Sequence, residues 1–429
     1  MTATTIRFGL DKRSPEHAAR IANRSHQLWV TLIWLLGALL VLQGLRSGFA
    51  GGITSSDLAA ARSSTGNPLA NSAYQAVRLA IVAVSVLAVL YAGPLSFTRS
   101  AASRIFRVGV FALVASFAAS AIWGTKGATL GIELLEMPLL LAAFAALPAP
   151  DFQRLVQSIQ KLLVVIGAAS LLYYLVAPQA ASQPYYGGLV DALPVRLHGI
   201  TPHANILGAA MGIYLILDLT TKSTGAKVWA ARGVVVVALL LSQSKTTIGV
   251  LLVAYLVCTV AAGRHAKKGR LLRFVVSVAG VVVGLRLASS ELTGSFTGRD
   301  VIWAATEEVW LRNVLFGYGP GLWDLTMRSE YIRALPNPPA HAHSQVWQTL
   351  GAFGLLGAFA LGVVILALIV AAASARRSTG YASVGLVIFL VGRSFSEPVL
   401  FMESTTSSVV ALIAIAALLA ASKGSQKGS

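Results

Sequence analysis

Apolar residues come in repeated runs of about 18–25, the length that crosses a hydrocarbon core of roughly 30 Å as a helix. Such runs lie at 28–45, 76–94, 108–123, 131–148, 162–177 and 203–221. The first is longer than the apolar core of a cleaved signal, so it reads as a span. The run at 233–262 is different. It holds 30 residues between Arg232 and the basic cluster Arg264, Lys267, Lys268, Arg270 and Arg273. As one helix it would be about 45 Å long, too long to cross without extreme tilt. Its only polar break is Ser242-Gln243-Ser244-Lys245-Thr246-Thr247, which divides it into short spans at 232–241 and 246–262. Further runs follow at 274–290, 346–371, 381–396 and 405–421. The pattern predicts an all-α polytopic membrane protein of about 12 transmembrane helices. It forms one domain over 1–429, spanning the membrane through 28–421. No internal repeat is visible.

Composition agrees. Hydrophobic residues make up 56% and charged residues 12%, against roughly 25% charged in ordinary soluble domains. Mean hydropathy is +0.72. The 34 Lys and Arg against 16 Asp and Glu do not indicate nucleic acid, because the cations sit in short breaks between apolar runs. That is the distribution the positive-inside rule expects. Residues 1–27, with Arg7, Lys12, Arg13, Arg20 and Arg24, read as cytoplasmic, as do Arg376, Arg377, Lys423 and Lys427. Both termini are then cytoplasmic, and 291–343 is the one long extracytoplasmic loop. The Gly/Ser-rich stretch 47–66 is a second external segment. This map leaves 12 of the 34 cations outside, a minority the rule does not explain. Cys258 is the single cysteine and forms no internal disulfide.

Five polar islands recur on that outer side. They are Arg196 to Asn205 with His198 and His203, the Ser244-Lys245 knot, and Gly298-Arg299-Asp300 with Trp303. His341-Ala342-His343-Ser344 and Arg393 to Glu397 complete the set. Lys245 carries the most weight, since a charge at membrane depth is a functional candidate by default; snorkelling to the interface is the structural reading. Cations and imidazoles without a matching carboxylate cluster suit an anion, phosphate above all. His341 and His343 lack a clear third ligand, so metal binding is not expected. Histidine titrates near working pH, which favours a base or hydrogen-bond role. Residues from Ile302 to Arg312 read as a short amphipathic helix with Trp303 and Trp310. Those rings suit either a sugar face or an interfacial aromatic belt. The Gly317–Gly321 stretch lacks the context of a nucleotide loop, and no cytosolic domain is large enough for nucleotide-sugar chemistry.

In this order the islands resemble the O-antigen ligase and polysaccharide polymerase family of bacterial membrane proteins. Arg196, Gly199 and Asn205 match its Arg-x-x-Gly…Asn segment, and Ser242-Gln243-Ser244-Lys245 its Ser-x-Ser-Arg knot. Gly298, Arg299 and Trp303, then Gly317 and Gly319, match its Gly-Arg…Trp and Gly-x-Gly elements. His343-Ser344, Gln348 and Gly354-Leu355-Leu356-Gly357 match its His-Asn, Gln and Gly-x-x-Gly segment, and Phe395-Ser396-Glu397 a late Ser-x-x-Glu-like element. The likeness covers about 190–400. Lys245 stands where the family has arginine, which loses the bidentate fork, and Ser344 stands for asparagine.

The resemblance implies metal-independent glycosyl transfer, without a cofactor, on the outer side of the bacterial cytoplasmic membrane. The donor would be a polyprenyl-diphosphate-linked glycan and the acceptor a glycan or lipid, with membrane lipid around both. Arg299, Lys245 and Arg196 would stabilise the leaving diphosphate. His343 would be the base, and Glu397 would orient the acceptor or pair with Arg393. His198, His203, Asn205, Ser244, Trp303, His341 and Arg393 would bind substrate, and the loop 291–343 would exclude water. A ligase passes a finished glycan to a different acceptor, whereas a polymerase joins donor units for cell-surface or exopolysaccharide. The resemblance does not separate them. A second class, an anion or solute transporter, predicts a polar path with inverted repeats, and the sequence has few buried carboxylates and no repeat. A membrane scaffold is a third.

Overall fold

The computed structural model describes residues 15–48, 68–92, 101–126, 133–184, 195–221, 224–262, 299–323, 341–400 and 405–425. The chain is mostly helical there. The helices are α1 (Pro15–Gly48), α2 (Pro68–Ala92), α3 (Ala101–Trp123), α4 (Glu133–Ala146), α5 (Phe152–Val176) and α6 (Pro178–Ala181). After two short strands, β1 (Ser182–Pro184) and β2 (Val195–Leu197), come α7 (Ala204–Asp218), α8 (Ala226–Ser242) and α9 (Lys245–Ala262). The series ends with α10 (Arg299–Leu311), α11 (Gln345–Thr379), α12 (Ala382–Ser394) and α13 (Thr405–Ser425). Six segments among the described residues are long and apolar enough to cross a membrane: Arg20–Arg46, Leu69–Ala92, Ala101–Trp123, Phe152–Val176, Gln345–Thr379 and Ser408–Ser425. Shorter apolar helices lie at Glu136–Ala146, Ala204–Asp218, Lys245–Val260 and Ala382–Ser394. The expected span at 274–290, the external stretch at 47–66 and much of the long loop lie outside the described residues. Within that loop the expected amphipathic helix is present as α10.

The helices wrap around α13. Residues Val409 to Ala421 are all buried, so α13 is apolar on every side, as a central helix must be. Its alanines let α11, α1 and α4 approach closely. The outer surface carries exposed Leu87, Leu90, Phe111, Leu172, Leu175 and Phe359. That much bare apolar area marks contact with lipid rather than water.

The 233–262 run does break at its polar knot. Gln243 ends α8 in a left-handed conformation at φ 47° and α9 begins at Lys245. A non-glycine residue there needs holding, and the Gln243 side chain donates to Val195 O at 2.6 Å. Both flanking helices are therefore short, about 26 Å each.

A second break was not legible in the pattern. α11 reads as one apolar run, yet Gly354 is non-helical at φ 61°, ψ −158°. It separates a half-helix, 345–353, from a long helix, 355–379. A plug after α10 takes up the freed backbone groups. Leu355 N and Leu356 N donate to Val314 O and Leu315 O, while Tyr318 N and Gly319 N donate to Gly351 O and Ala352 O. Ser120 Oγ from α3 also donates to Ala352 O, at 2.5 Å. Irregular backbone at this depth is tolerated only where protein satisfies it.

At the opposite end of the bundle, α4 ends against a lysine. Lys423 Nζ donates to the carbonyls of Phe144, Ala145 and Leu147 at 2.8, 2.9 and 2.6 Å. Those oxygens have no partner inside their own helix, and a cation there also meets the negative end of its dipole.

Candidate functional site

The site is built where several helices start or stop together. β1 pairs antiparallel with β2, with Gln183 opposite Arg196. After β2 the chain turns through Gly199, at φ 59°. A Cβ there would lie 2.1 Å from Ser170 Cβ, so the Arg-x-x-Gly spacing is a packing requirement against α5. The turn leads to His203, the N-cap of α7, whose Nδ1 accepts from Asn205 N at 3.1 Å.

Asn205 is the hub. Its Oδ1 accepts from Arg196 Nη2 and from Ser244 Oγ (3.1 Å), and its Nδ2 donates to Glu397 Oε1 at 2.6 Å. Its backbone carbonyl accepts from Arg393 Nη2 at 3.3 Å. Arg196 Nε donates onward to Ser242 O. Three islands far apart in sequence are thus joined through one amide.

The histidine island meets the same carboxylate. His341 Nε2 lies 3.7 Å and His343 Nδ1 4.0 Å from Glu397 Oε2. The two rings pack edge to face with centroids 4.3 Å apart. His343 has a left-handed φ of 49°, strain of the kind that persists where surrounding contacts fix it. The contacts are visible. His341 Nδ1 accepts from His343 N at 3.1 Å, Ala342 N donates to Gln348 Oε1 at 2.9 Å, and Trp303 Nε1 donates to Ala342 O at 2.9 Å. Trp303 therefore braces the histidine turn. The same contact occurs twice: His203 Nδ1 accepts from Asn205 N at the start of α7, and His341 Nδ1 accepts from His343 N before α11.

These groups line a cleft of about 600 Å³, part of it open to solvent. His203, Asn205, His341, His343, Arg393 and Glu397 supply polar lining, and Ile206, Pro398, Val399, Val410 and Ala411 an apolar wall. Among the described residues His343 Nδ1 and Arg393 Nε are buried with no hydrogen-bond partner.

Electrostatics set the protonation states. Burial brings the His343 imidazole down to about 3, with His341 and Arg299 acting the same way against Glu397. Burial and Arg196 likewise hold His203 at about 4. Burial lowers His198 too. It acts to raise the Glu397 carboxyl, but His341, His343, His203 and Arg393 outweigh it and leave that group at about 2. These shifts favour an ionised Glu397 carboxylate facing uncharged His203 and His343 imidazoles.

His341, His343 and Glu397 offer ligand atoms within 4.8 Å of one another, a spacing that could hold a metal ion. The donor chemistry argues against it. His341 Nδ1 already accepts a backbone N–H, so in the neutral ring the proton sits on Nε2, the nitrogen facing Glu397. That nitrogen has no lone pair for a metal and acts as a donor. His203 has the same tautomer for the same reason.

The remaining candidates do not line this cleft. Arg299 begins α10, half-buried, with its charge felt at His343. It makes no hydrogen bond or ion pair among the described residues. Lys245 follows Ser244 directly but does not line the cleft. His198 is turned into its own loop, with Nδ1 3.1 Å from Thr201 O. The sequence did not point to Gln345, whose amide pairs with Leu400 through Leu400 N to Oε1 at 2.8 Å and Nε2 to Leu400 O at 3.0 Å. It stands directly before the apolar run at 346–371, where a polar residue draws no attention.

Fold and site together define a multi-pass helical membrane protein with a polar cleft at one end of its bundle. A family model described as O-antigen ligase matches residues 230–362. That match supports an O-antigen ligase-like family for the chain, a family of ligase- and polymerase-type membrane enzymes. No curated protein matches the chain.

Proposed function

We propose that the chain is a membrane glycosyltransferase that moves a glycan from a polyprenyl diphosphate carrier to an acceptor hydroxyl on the outer face of the bacterial cytoplasmic membrane. The observation that carries this reading is the convergence of Asn205, His341, His343, Arg393 and Glu397 on one cleft, with Arg196 and Ser244 bonded to Asn205 behind it. In the proposed topology the cleft end faces outward, the loop 291–343 covers it, twelve helices cross and both termini are cytoplasmic. Asp218 paired with Arg232 at 2.8 Å, and Lys423, then lie at the cytoplasmic end.

The acceptor oxygen attacks the anomeric carbon, and the bond from that carbon to the diphosphate oxygen breaks. The electron pair leaves on the diphosphate, and the acceptor proton passes to His343. A proton on His343 Nδ1 directed at Glu397 leaves Nε2 with the lone pair, and Glu397 stabilises the imidazolium that forms. The arriving diphosphate brings negative charge beside His343 and raises its pKa toward the working range. Arg299, whose charge is felt at His343, and Lys245, next in sequence to Ser244, would meet the leaving charge. Diphosphate is already a good leaving group, so neither metal nor nucleotide is required. The ligase form is preferred over the polymerase because the proposed topology has a single external loop of that length, 291–343.

The test is transfer by purified protein in lipid. A polyprenyl-diphosphate oligosaccharide and candidate acceptors are supplied without metal or nucleotide. Polyprenyl diphosphate should be released, and release should disappear in Arg299→Ala and His343→Ala. Full turnover by both folded variants would sink the site assignment. Anion uptake without glycan chemistry would point to a transporter instead.

A further inference from the structure

The half-helix 345–353 carries two buried glutamines three residues apart, hence on one face. Gln345 reaches the strand of chain that follows α12. Its amide takes Leu400 N–H on Oε1 and gives hydrogens to Leu400 O and to Thr349 Oγ1 at 3.1 Å. Three bonds fix both its position and its amide orientation, since a flipped amide would set donor against donor. Leu400 stands three residues after Glu397. Gln348 reaches the other half of the cleft, where its Oε1 holds Ala342 N–H between His341 and His343.

We infer that Gln345 and Gln348 are positioning residues, which make the half-helix a rigid spacer setting Glu397 against His343. The inference rests on the transferase reading for its kinetic consequence, but its geometric content does not depend on that reading. The carboxylate and the imidazole lie 54 residues apart and share no secondary-structure element. Each is anchored to the same two turns of helix by a buried amide. Gln345 has both ends of its amide bonded and Gln348 holds Ala342 N–H through its oxygen. Bonded buried polar groups of this kind rigidify what they join, and the Gly354 break isolates this piece of helix from the long helix behind it. Misplacement by about 1 Å at such a site costs on the order of 100-fold in rate.

The test uses Gln345→Leu and Gln348→Leu in the full chain in lipid. Transfer kcat should fall about 100-fold, with the KM for the lipid-linked donor within about twofold, because the diphosphate cations are untouched. Gln348→Glu keeps an oxygen acceptor for Ala342 N–H and should recover most of the loss, which a general loss of packing would not allow. Independently of activity, diethyl pyrocarbonate should modify His343 several-fold faster in both leucine variants, read by mass spectrometry. A KM change with unaltered kcat would overturn the inference, as would unaltered His343 reactivity in the folded variants. If wild type transfers nothing, the enzymatic reading fails while the reactivity measurement still decides the positioning. If a leucine variant does not fold, Gln348→Glu against Gln348→Met supplies the comparison.

Discussion

Replacing Gly354 by alanine should cost far more than its distance from Glu397 suggests. Gly354 has φ 61° and ψ −158°, a region that side-chain-bearing residues enter at about 1–3 kcal/mol. A Cβ there would stand 2.3 Å from Leu315 O, 2.4 Å from Leu315 C and 2.7 Å from Phe316 N. All three are backbone atoms, so no rotamer change relieves the clash and the plug must move. Moving it breaks the bonds from Leu355 N and Leu356 N. One freed buried N–H costs about 1–3 kcal/mol, which brings the expected loss to roughly 3–5 kcal/mol. Gly362, further along the same helix, is the control. A Cβ there meets nothing within 4 Å, so Gly362→Ala should gain about 0.5–1 kcal/mol from helix propensity. Reversible unfolding in mixed micelles measures both. Opposite signs are expected from two identical substitutions in one apolar run. A Gly354→Ala protein within about 0.5 kcal/mol of wild type would refute the reading of the break as a fixed, plugged joint.

Asn205→Leu should abolish transfer while leaving the fold intact, because it removes the Glu397 and Arg196 contacts together; turnover near wild type would contradict its place as hub. Lys423→Met should destabilise the bundle by on the order of 3 kcal/mol, since three carbonyls lose a charged donor, with unfolding in micelles as the measurement. Trp303→Phe should keep stability within about 1.5 kcal/mol, the worth of one hydrogen bond, yet raise the reactivity of His343 toward diethyl pyrocarbonate. Stability should also fall on acidification. His343 and Glu397 both have folded pKa values below their unfolded ones, about 3 against 6.5 and about 2 against 4.5. The unfolded chain therefore binds more protons in those windows, and stability is lost as pH falls from 6.5 toward 2. Glu397→Gln should flatten the lower part of that slope in a thermal-unfolding series.

Six spans were legible because lipid imposes a length and an apolarity that composition alone satisfies. The break at 242–247 was legible for a second reason: one helix of 30 residues is too long to cross, and the run's only polar break lies there. The break at Gly354 carried neither signal, since no polar side chain lies between Thr349 and Ser374 and no charge count changes. Its cause is a contact with the plug, made by backbone groups that any sequence possesses. Lys423 reads as one more basic flank, and only folding reveals that it spans 278 residues to cap Ala145. Polar partners so remote in sequence leave no local pattern, and the same holds for Gln345 and Leu400.

The matched segment also bears on where the site resides. Residues 230–362 contain Ser244, Arg299, His341, His343 and both glutamines, but neither Asn205 nor Glu397. Within the segment His343 has its positioning amide and its bracing tryptophan and lacks the carboxylate that would stabilise its protonated form. Asn205, from α7, and Arg393 and Glu397, at the end of α12, complete the cleft from both sides of the match, and they do so through each other, by a 2.6 Å bond across 192 residues. The cleft is therefore a property of the bundle rather than of the matched segment. A substitution at the α7–α12 contact should disable it as fully as one at His343 itself.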